Sequence, residues 1–410
     1  TWNNVTPTGM PQWMMINNID ANPFVKGGVY IAGTRYKSGD SHPYLYKTVD
    51  YGKTWSKITL GIDENNFTRV IRADPNRKGL LYAGTESGMY ISFDDGASWK
   101  SFQLNLPIVP ITDLKIKNGN LIASTQGRGI WIIDDLTPLY QLNETVTKAG
   151  YYLFKPMDSY RLSGPGIQKN PPLYSGQGRP GGAIIYYYLK EKPDSSGVVK
   201  LEILDASGKS IKTFSTDAEK DKNKLDVQTG MNVLNWNMRQ DDAKRFDGMV
   251  LWWGSTRGPV SIPGTYSAKL IVNSDSVMQS FELLADPRST STQEDLKAQF
   301  DFLISIRDEL TQTHEAIIEI RKAKDQLNKY KNRFSEIENR EYIADTIKSV
   351  LKQMNEIETT LYQTKNRSGQ DPLNYPIKLN NKLAHLASLA GMGNYPPTDQ
   401  DIALKETLFS

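Results

Sequence analysis

The order of apolar and polar positions divides the chain into three textures. Through residues 1–142, short runs of alternating apolar residues are broken by Gly, Asp, Asn and Pro, as in brief β-strands joined by tight turns. A stretch at 143–182 follows, crowded by Gly164-Pro165-Gly166, Pro171-Pro172 and Gly176-Gln177-Gly178-Arg179-Pro180-Gly181-Gly182. It reads as a Gly/Pro-rich linker, or as a loop contacting a glycan or a protein. Over 183–286 the strand texture returns in Ala183–Leu189, the 198–204 run, the 230–238 run and Pro263-Gly264-Thr265-Tyr266, which leads into the run ending at Leu284. About seven short strands in about 100 residues is the pattern of an immunoglobulin-like β-sandwich. Past Asp286-Pro287 the period becomes helical. Ser291 and Glu294 have capping-box spacing, and Leu303, Ile306, Leu310, Ile317, Ile320, Leu327 and Phe334 form one apolar seam, predicting a helix to about Asn332. A second helix carries the apolar positions from Ile337 to Leu361, and a third those from Ile377 to Leu389, stopping at Gly391. An antiparallel α-helical bundle over 287–410 follows.

The first texture also repeats. Thr48-Val49-Asp50-Tyr51-Gly52-Lys53-Thr54-Trp55 and Ser92-Phe93-Asp94-Asp95-Gly96-Ala97-Ser98-Trp99 share the pattern [ST]-x-D-x-G-x-[ST]-W, an Asp-box. In it Asp50 and Asp94 cap a tight turn, Gly52 and Gly96 supply positive φ, and Trp55 and Trp99 return to the sheet as anchors. Thr1-Trp2 aligns with the end of each box, making Trp2 a third anchor and placing the start of the chain inside a box. Around the boxes, Ile19-Asp20-Ala21-Asn22-Pro23 matches Arg72-Ala73-Asp74-Pro75-Asn76, and Val29-Tyr30-Ile31-Ala32-Gly33-Thr34 matches Leu80-Leu81-Tyr82-Ala83-Gly84-Thr85. A loop insertion around 37–43 accounts for the longer first repeat, and a decayed third copy runs from Ile111 to Asp135. Four-stranded repeats of this period are propeller blades. The expected fold is therefore multidomain, mainly β and then α: the last two to three blades of a partial β-propeller at 1–142, then linker, Ig-like sandwich and helical bundle. Two to three blades cannot close a ring, so the expected partner is a missing N-terminal propeller portion of the same protein.

Composition removes several function classes. Forty-nine basic against 46 acidic residues give a net charge of +3 with no long basic run, which argues against a nucleic-acid partner. With no Cys, thiol catalysis, disulfides and Cys-ligated zinc are excluded, and His42, His314 and His385 are too scattered for a His-rich metal site. Neither a metal nor a cofactor is expected. No apolar run reaches about 18 residues, so no membrane span is expected.

Taken in order, the two boxes, Gly127-Arg128-Gly129-Ile130-Trp131-Ile132-Ile133-Asp134-Asp135, the Ala183–Leu189 run, Met249-Val250-Leu251-Trp252, Gly258-Pro259, Pro263-Gly264-Thr265-Tyr266 and the helix at 307–321 resemble large bacterial BNR/Asp-box, sortilin (Vps10)-like propeller proteins. The resemblance covers nearly the whole chain, as the C-terminal third or so of such a protein. It implies export to the envelope or extracellular space, and it carries a default "glycosyl hydrolase" label that rests on propeller analogy.

The candidate chemistry is sparse. Sialidase-type hydrolysis needs an arginine cluster, a Tyr paired with Glu, and an acid/base Asp; Arg35, Arg69, Arg72 and Arg128, with Tyr30, Tyr82, Glu86 and Asp113, are the available groups, and no spacing among them demands catalysis. Catalytic residues are thus unassigned. Arg35, Arg69, Arg128, Trp252 and Trp253 are candidate ligand contacts, the two tryptophans as a sugar platform; as neighbours on a strand, one of them should point into a core. The expected function is an exported, non-catalytic scaffold binding a protein, peptide or glycan, or belonging to a larger surface assembly. The alternative is a sialidase-like glycoside hydrolase whose site lies mostly in other blades.

Overall fold

A computed structural model describes residues 1–162, 176, 178–193, 197–219, 223–334 and 341–409. They form two compact units, Thr1–Lys148 and Ala149–Ser410.

In the first unit, three antiparallel sheets follow one another along the chain. The first is β1 (Met15–Ala21), β2 (Val29–Arg35), β3 (Asp40–Thr48) and β4 (Ser56–Lys57), paired in that order. The second is β5 (Thr68–Ala73), β6 (Leu81–Thr85), β7 (Gly88–Ser92) and β8 (Lys100–Ser101), and the third is β9 (Ile111–Lys117), β10 (Asn120–Thr125) and β11 (Ile130–Ile133). Helices α1 (Thr137–Gln141) and α2 (Glu144–Lys148) close the unit. Successive meanders stacked face to face make a partial β-propeller. Ile71, Ala73, Leu81, Ala83 and Trp99 of the second blade bury against Tyr30, Ala32, Leu45 and Ile58 of the first. Val70, Tyr82, Met89 and Ile91 on the opposite face of the second blade bury against Ile111, Leu114, Leu121 and Ala123 of the third. The middle blade is thus apolar on both faces, and β6 is buried along its whole length.

Register corrects the repeat alignment. Asp20 lies opposite Tyr30 and Arg72 opposite Tyr82, while bulges fall at Ile16/Asn18 and at Thr68/Val70. Both strands are therefore displaced by 52 residues, so Asp20 corresponds to Arg72 and Tyr30 to Tyr82. The shared Gly-Thr dipeptide draws the second block one residue out of register, and the first block is out by one residue in the opposite sense. The true equivalence is fixed by chemistry: Asn22 donates to the Tyr30 hydroxyl at 2.7 Å, and the Tyr82 hydroxyl donates to Asp74 at 3.3 Å.

The second unit begins earlier than the sandwich boundary expected at 183. Strand β12 (Tyr151–Leu153) pairs with β14 (Ala183–Leu189), which pairs with β17 (Gly230–Trp236). Strand β13 (Ser159–Tyr160) runs parallel to β19 (Asp275–Leu284) in a sheet ordered β13-β19-β18-β15-β16, with β15 Val199–Leu204, β16 Ser210–Ser215 and β18 Gly264–Val272. Tyr151–Leu153 and Ser159–Tyr160 therefore belong to the sheets; of the Gly and Pro that suggested a linker, those at 164–166 and 171–172 lie outside the described residues, and Gly176, Gly178, Pro180, Gly181 and Gly182 precede β14. The two sheets share one core, in which Trp236 packs against Tyr266 and Phe281.

Helices α3 (Gln293–Phe334), α4 (Glu341–Leu361), α5 (Leu379–Ala390) and α6 (Asp399–Phe409) complete this unit. The α3 start differs by one residue from the expected Ser291 capping box. Thr292 and Asp295 exchange the two capping bonds at 2.9 and 3.1 Å, because the Ser291 hydroxyl is committed to the Asn394 carbonyl. Arg321 and Lys324 of α3 both hold Glu358 of α4 at 2.8 Å, and Lys324 also donates to Asn355, one turn earlier on α4, so the two helices run antiparallel. Glu358 is 3% exposed; burial pushes its carboxyl up, but these two cations more than offset that and hold it low. The loop between β17 and β18 lies on the helices. His314, fully buried, donates from Nδ1 to the Lys244 carbonyl at 2.5 Å, and Asn381 bonds both the N–H and the carbonyl of Trp252 at 2.7 and 2.9 Å.

Candidate functional site

The boxes are built identically at the turn. In the first, Thr54 donates its N–H and hydroxyl to Asp50 at 2.9 and 2.7 Å; in the second, Ser98 does the same to Asp94 at 2.9 and 2.6 Å. Gly52 and Gly96 donate to the Thr48 and Ser92 hydroxyls. Tyr51-Gly52 and Asp95-Gly96 all have positive φ, the mirror-image hairpin turn that suits twisted strands. A Cβ on Gly96 would meet Ile58 at 2.7 Å, and one on Gly52 would meet Val5 at 2.8 Å, so glycine is also required by the approach of the preceding segment. Thr54 lowers the Asp50 carboxyl to about 2, first through its N–H and then its hydroxyl. Burial pushes the Asp94 carboxyl up, yet the bonds from Ser98 and Ser92 keep it below the ordinary range. All of these carboxylate bonds serve the turn, which leaves Asp50 and Asp94 no proton-transfer task.

Each blade arginine that might serve a substrate carboxylate has a partner nearby. Arg35 binds Asp40 at 2.7 Å, and Tyr44 donates to the same carboxylate oxygen at 2.8 Å. Arg69 binds Glu86 at 2.5 Å and lies over Phe67, which stacks on Tyr36 with centroids 5.0 Å apart. On the innermost strands, Arg72 joins all three blades: it holds Asp20 of β1 at 2.6 Å, Asp113 of β9 at 3.0 Å and the Leu114 carbonyl at 2.8 Å. Asp20 in turn accepts the Ala73 N–H at 2.8 Å. Arg128 is exposed and donates to the adjacent Gly127 carbonyl. The four candidate arginines therefore do not converge. Tyr30 and Tyr82 are buried, and burial, followed by Asp95 for Tyr30 and Asp74 for Tyr82, raises both hydroxyls far above their ordinary value. Neither tyrosine is a nucleophile in that state.

Trp252 and Trp253 correct the strand expectation. They sit in the β17–β18 loop, where Trp253 has φ of 53°, and neither points into a core. Their rings lie side by side with centroids 6.0 Å apart, and Trp253 is 78% exposed. His385 fixes the ledge from below through the Trp253 carbonyl at 3.0 Å. Trp2 is fully exposed and anchors nothing. Among the described residues no group of three or more His, Asp or Glu could hold a metal ion, and no helix is long and apolar enough to cross a membrane.

No protein-family model and no curated protein matches the chain. Among solved structures, an ancestral GH74 enzyme is 22% identical over 28% of this chain and 14% of its own, with a TM-score of 0.23. YCF48 from Cyanidioschyzon merolae is 19% identical over 29% of this chain and 40% of its own, TM-score 0.22. The GH74 enzyme of Niastella koreensis is 11% identical over 65% of this chain and 46% of its own, TM-score 0.24. The chain thus spans less than two thirds of the length of each, and likeness at this level carries no argument about activity.

Proposed function

We propose that the chain is part of an exported, non-catalytic binding scaffold, of the BNR/Asp-box or sortilin-like kind that its motifs resemble. Its blades contribute to a surface for a protein, peptide or glycan, and the second unit supplies an Ig-like sandwich and a helical bundle. The observation carrying this reading is the commitment of the arginines. Arg35 and Arg69 spend their guanidinium groups on Asp40 and Glu86 within their own blades, and Arg72 ties neighbouring blades through Asp20 and Asp113, so none of the three awaits a substrate. A sialidase-like site would need several such groups free and convergent.

The partner of the first blade is read as another blade. Ile19, Val29, Ile31 and Trp55 occupy the positions that Ile71, Leu81, Ala83 and Trp99 fill one repeat later, where the preceding blade buries them. On the first blade Met10, Met14 and Trp55 cover Ile31, while Ile19 stays 66% exposed. A sheet of the same design supplies the matching apolar surface.

The test is to assay the protein with a fluorogenic sialoside and other aryl glycosides, and in parallel to screen it on glycan and peptide arrays. Selective binding without turnover is expected. Turnover abolished by Arg72→Ala, in a variant that retains the wild-type thermal transition, would replace this reading with the hydrolase.

A further inference from the structure

The second unit holds a cavity of about 710 Å3 that no feature of the blades explains. Its walls are the chain just after β13, β17 and β19, the loop at 255–260, one face of α3 and the end of α5. Five arginines line it, Arg161, Arg239, Arg257, Arg288 and Arg307, against one lining carboxylate, Asp286. Asp286 is used by Arg288 at 2.9 Å. Arg161 reaches only neutral oxygens, the Ser261 carbonyl at 3.0 Å and the Asn394 side chain, and Arg239 donates to the Gly258 carbonyl at 2.9 Å. Among the described residues, none of Arg161, Arg239 and Arg257 forms a salt bridge. Arg307 donates to the Asp241 carbonyl at 2.9 Å; its buried Nε lies 2.7 Å from Asp308 but makes no hydrogen bond.

Gathering like charges at a half-enclosed site costs stability unless something offsets it. The guanidinium groups register the strain: burial, and then the charge of Arg239, makes Arg161 easier to deprotonate than usual, and burial, and then Arg257, does the same to Arg239. The neutral bonds to Ser261, Asn394 and Gly258 hold the side chains in place without neutralising them. Planar forks fixed in this way match the paired oxygens of phosphate, sulfate or carboxylate.

We propose that this cavity binds a small polyanion, a compact molecule with two or more oxyanion groups, held by Arg239 and Arg257 with Arg161 and Arg307 behind them. The volume admits a molecule of metabolite or disaccharide size and excludes a folded chain. The site is independent of how the blades are used.

Titration calorimetry of the whole chain with inorganic pyrophosphate and, separately, with citrate tests it. Saturable binding of one equivalent of either probe is expected, weakening as salt rises; a response to pyrophosphate alone assigns a phosphate ligand, and to citrate alone a carboxylate ligand. Arg257 is exposed and among the described residues its side chain holds no other element, so Arg257→Glu should leave near-ultraviolet dichroism unchanged and weaken binding at least about tenfold. Arg288→Gln, at the rim, should weaken it by a smaller factor. Absence of saturable binding for both probes, or binding indifferent to Arg257→Glu, overturns the proposal.

Discussion

The two Asp-boxes carry the same turn chemistry and live in different surroundings. Trp99 is 3% exposed, donates its indole N–H to the Ile58 carbonyl at 2.8 Å and its backbone N–H to the Leu60 carbonyl at 2.8 Å. Trp55 makes the equivalent indole bond, to the Val5 carbonyl at 2.8 Å, but is only half-buried beside Met10 and Met14. Val5 and Ile58 each lie three residues beyond the Trp before them, Trp2 and Trp55. The motif therefore fixes the turn and the direction of the indole, and the preceding segment decides how much apolar surface that indole removes from water.

The comparison can be broken most severely at Trp99. Trp99→Ala should cost about 3–5 kcal/mol in the unfolding of the first unit, followed by hydrogen exchange because two units need not unfold as one transition. Trp55→Ala removes the same indole bond with less buried area, so about 1–2 kcal/mol is expected in the same measurement. If the two variants proved equal, the surroundings would not matter and the motif alone would set the energy. Asp94→Ala should cost about 1 kcal/mol, the scale of a lost capping carboxylate, read as a shift in urea midpoint. Acid offers the same contrast without mutation. The folded-state carboxyls of Asp50 and Asp94 lie below their unfolded value, so their contribution is present above the ordinary carboxylate range and is lost as pH falls through the folded values, about 2 for Asp50. Thermal melts of wild type and Asp94→Ala should therefore converge as the solution is acidified from pH 5. Trp2→Ala, at the bottom of the series, should change stability by less than about 0.5 kcal/mol, since this side chain touches nothing that another element buries.

Local signals read well where one residue pattern decides the outcome. The Ala183–Leu189 run is a strand with those bounds, and the third long helix ends at Ala390 with Gly391 as its cap. They misled where two candidates compete for one role. Ser291 and Thr292 both suit a helix start, and only the Asn394 carbonyl, a hundred residues away, settles which is free. The pair Gly33-Thr34 looks like Gly84-Thr85 in sequence, yet cross-strand pairing sets Gly33 against Ile16 and Gly84 against Val70, one step apart in the repeat. Trp252-Trp253 resembled strand because hydrophobic neighbours usually are strand; the loop instead borrows hydrogen bonds from Asn381 and His385 on α5. The arginine cavity left no trace in the order of residues. Its five cations are spread from position 161 to 307, and the only shared signal is that Arg161, Arg239 and Arg288 each follow closely the end of a strand.

The blade-to-blade ties described above all join immediate neighbours. Each indole reaches back one repeat, and Asp20 and Arg72 each reach forward one. A ribosome delivering this region would meet no demand for distant partners: each meander closes on itself by hairpins and then docks on the blade already made. Folding can therefore proceed in step with synthesis, one repeat at a time, each new blade covering the apolar face that the one before it has left exposed.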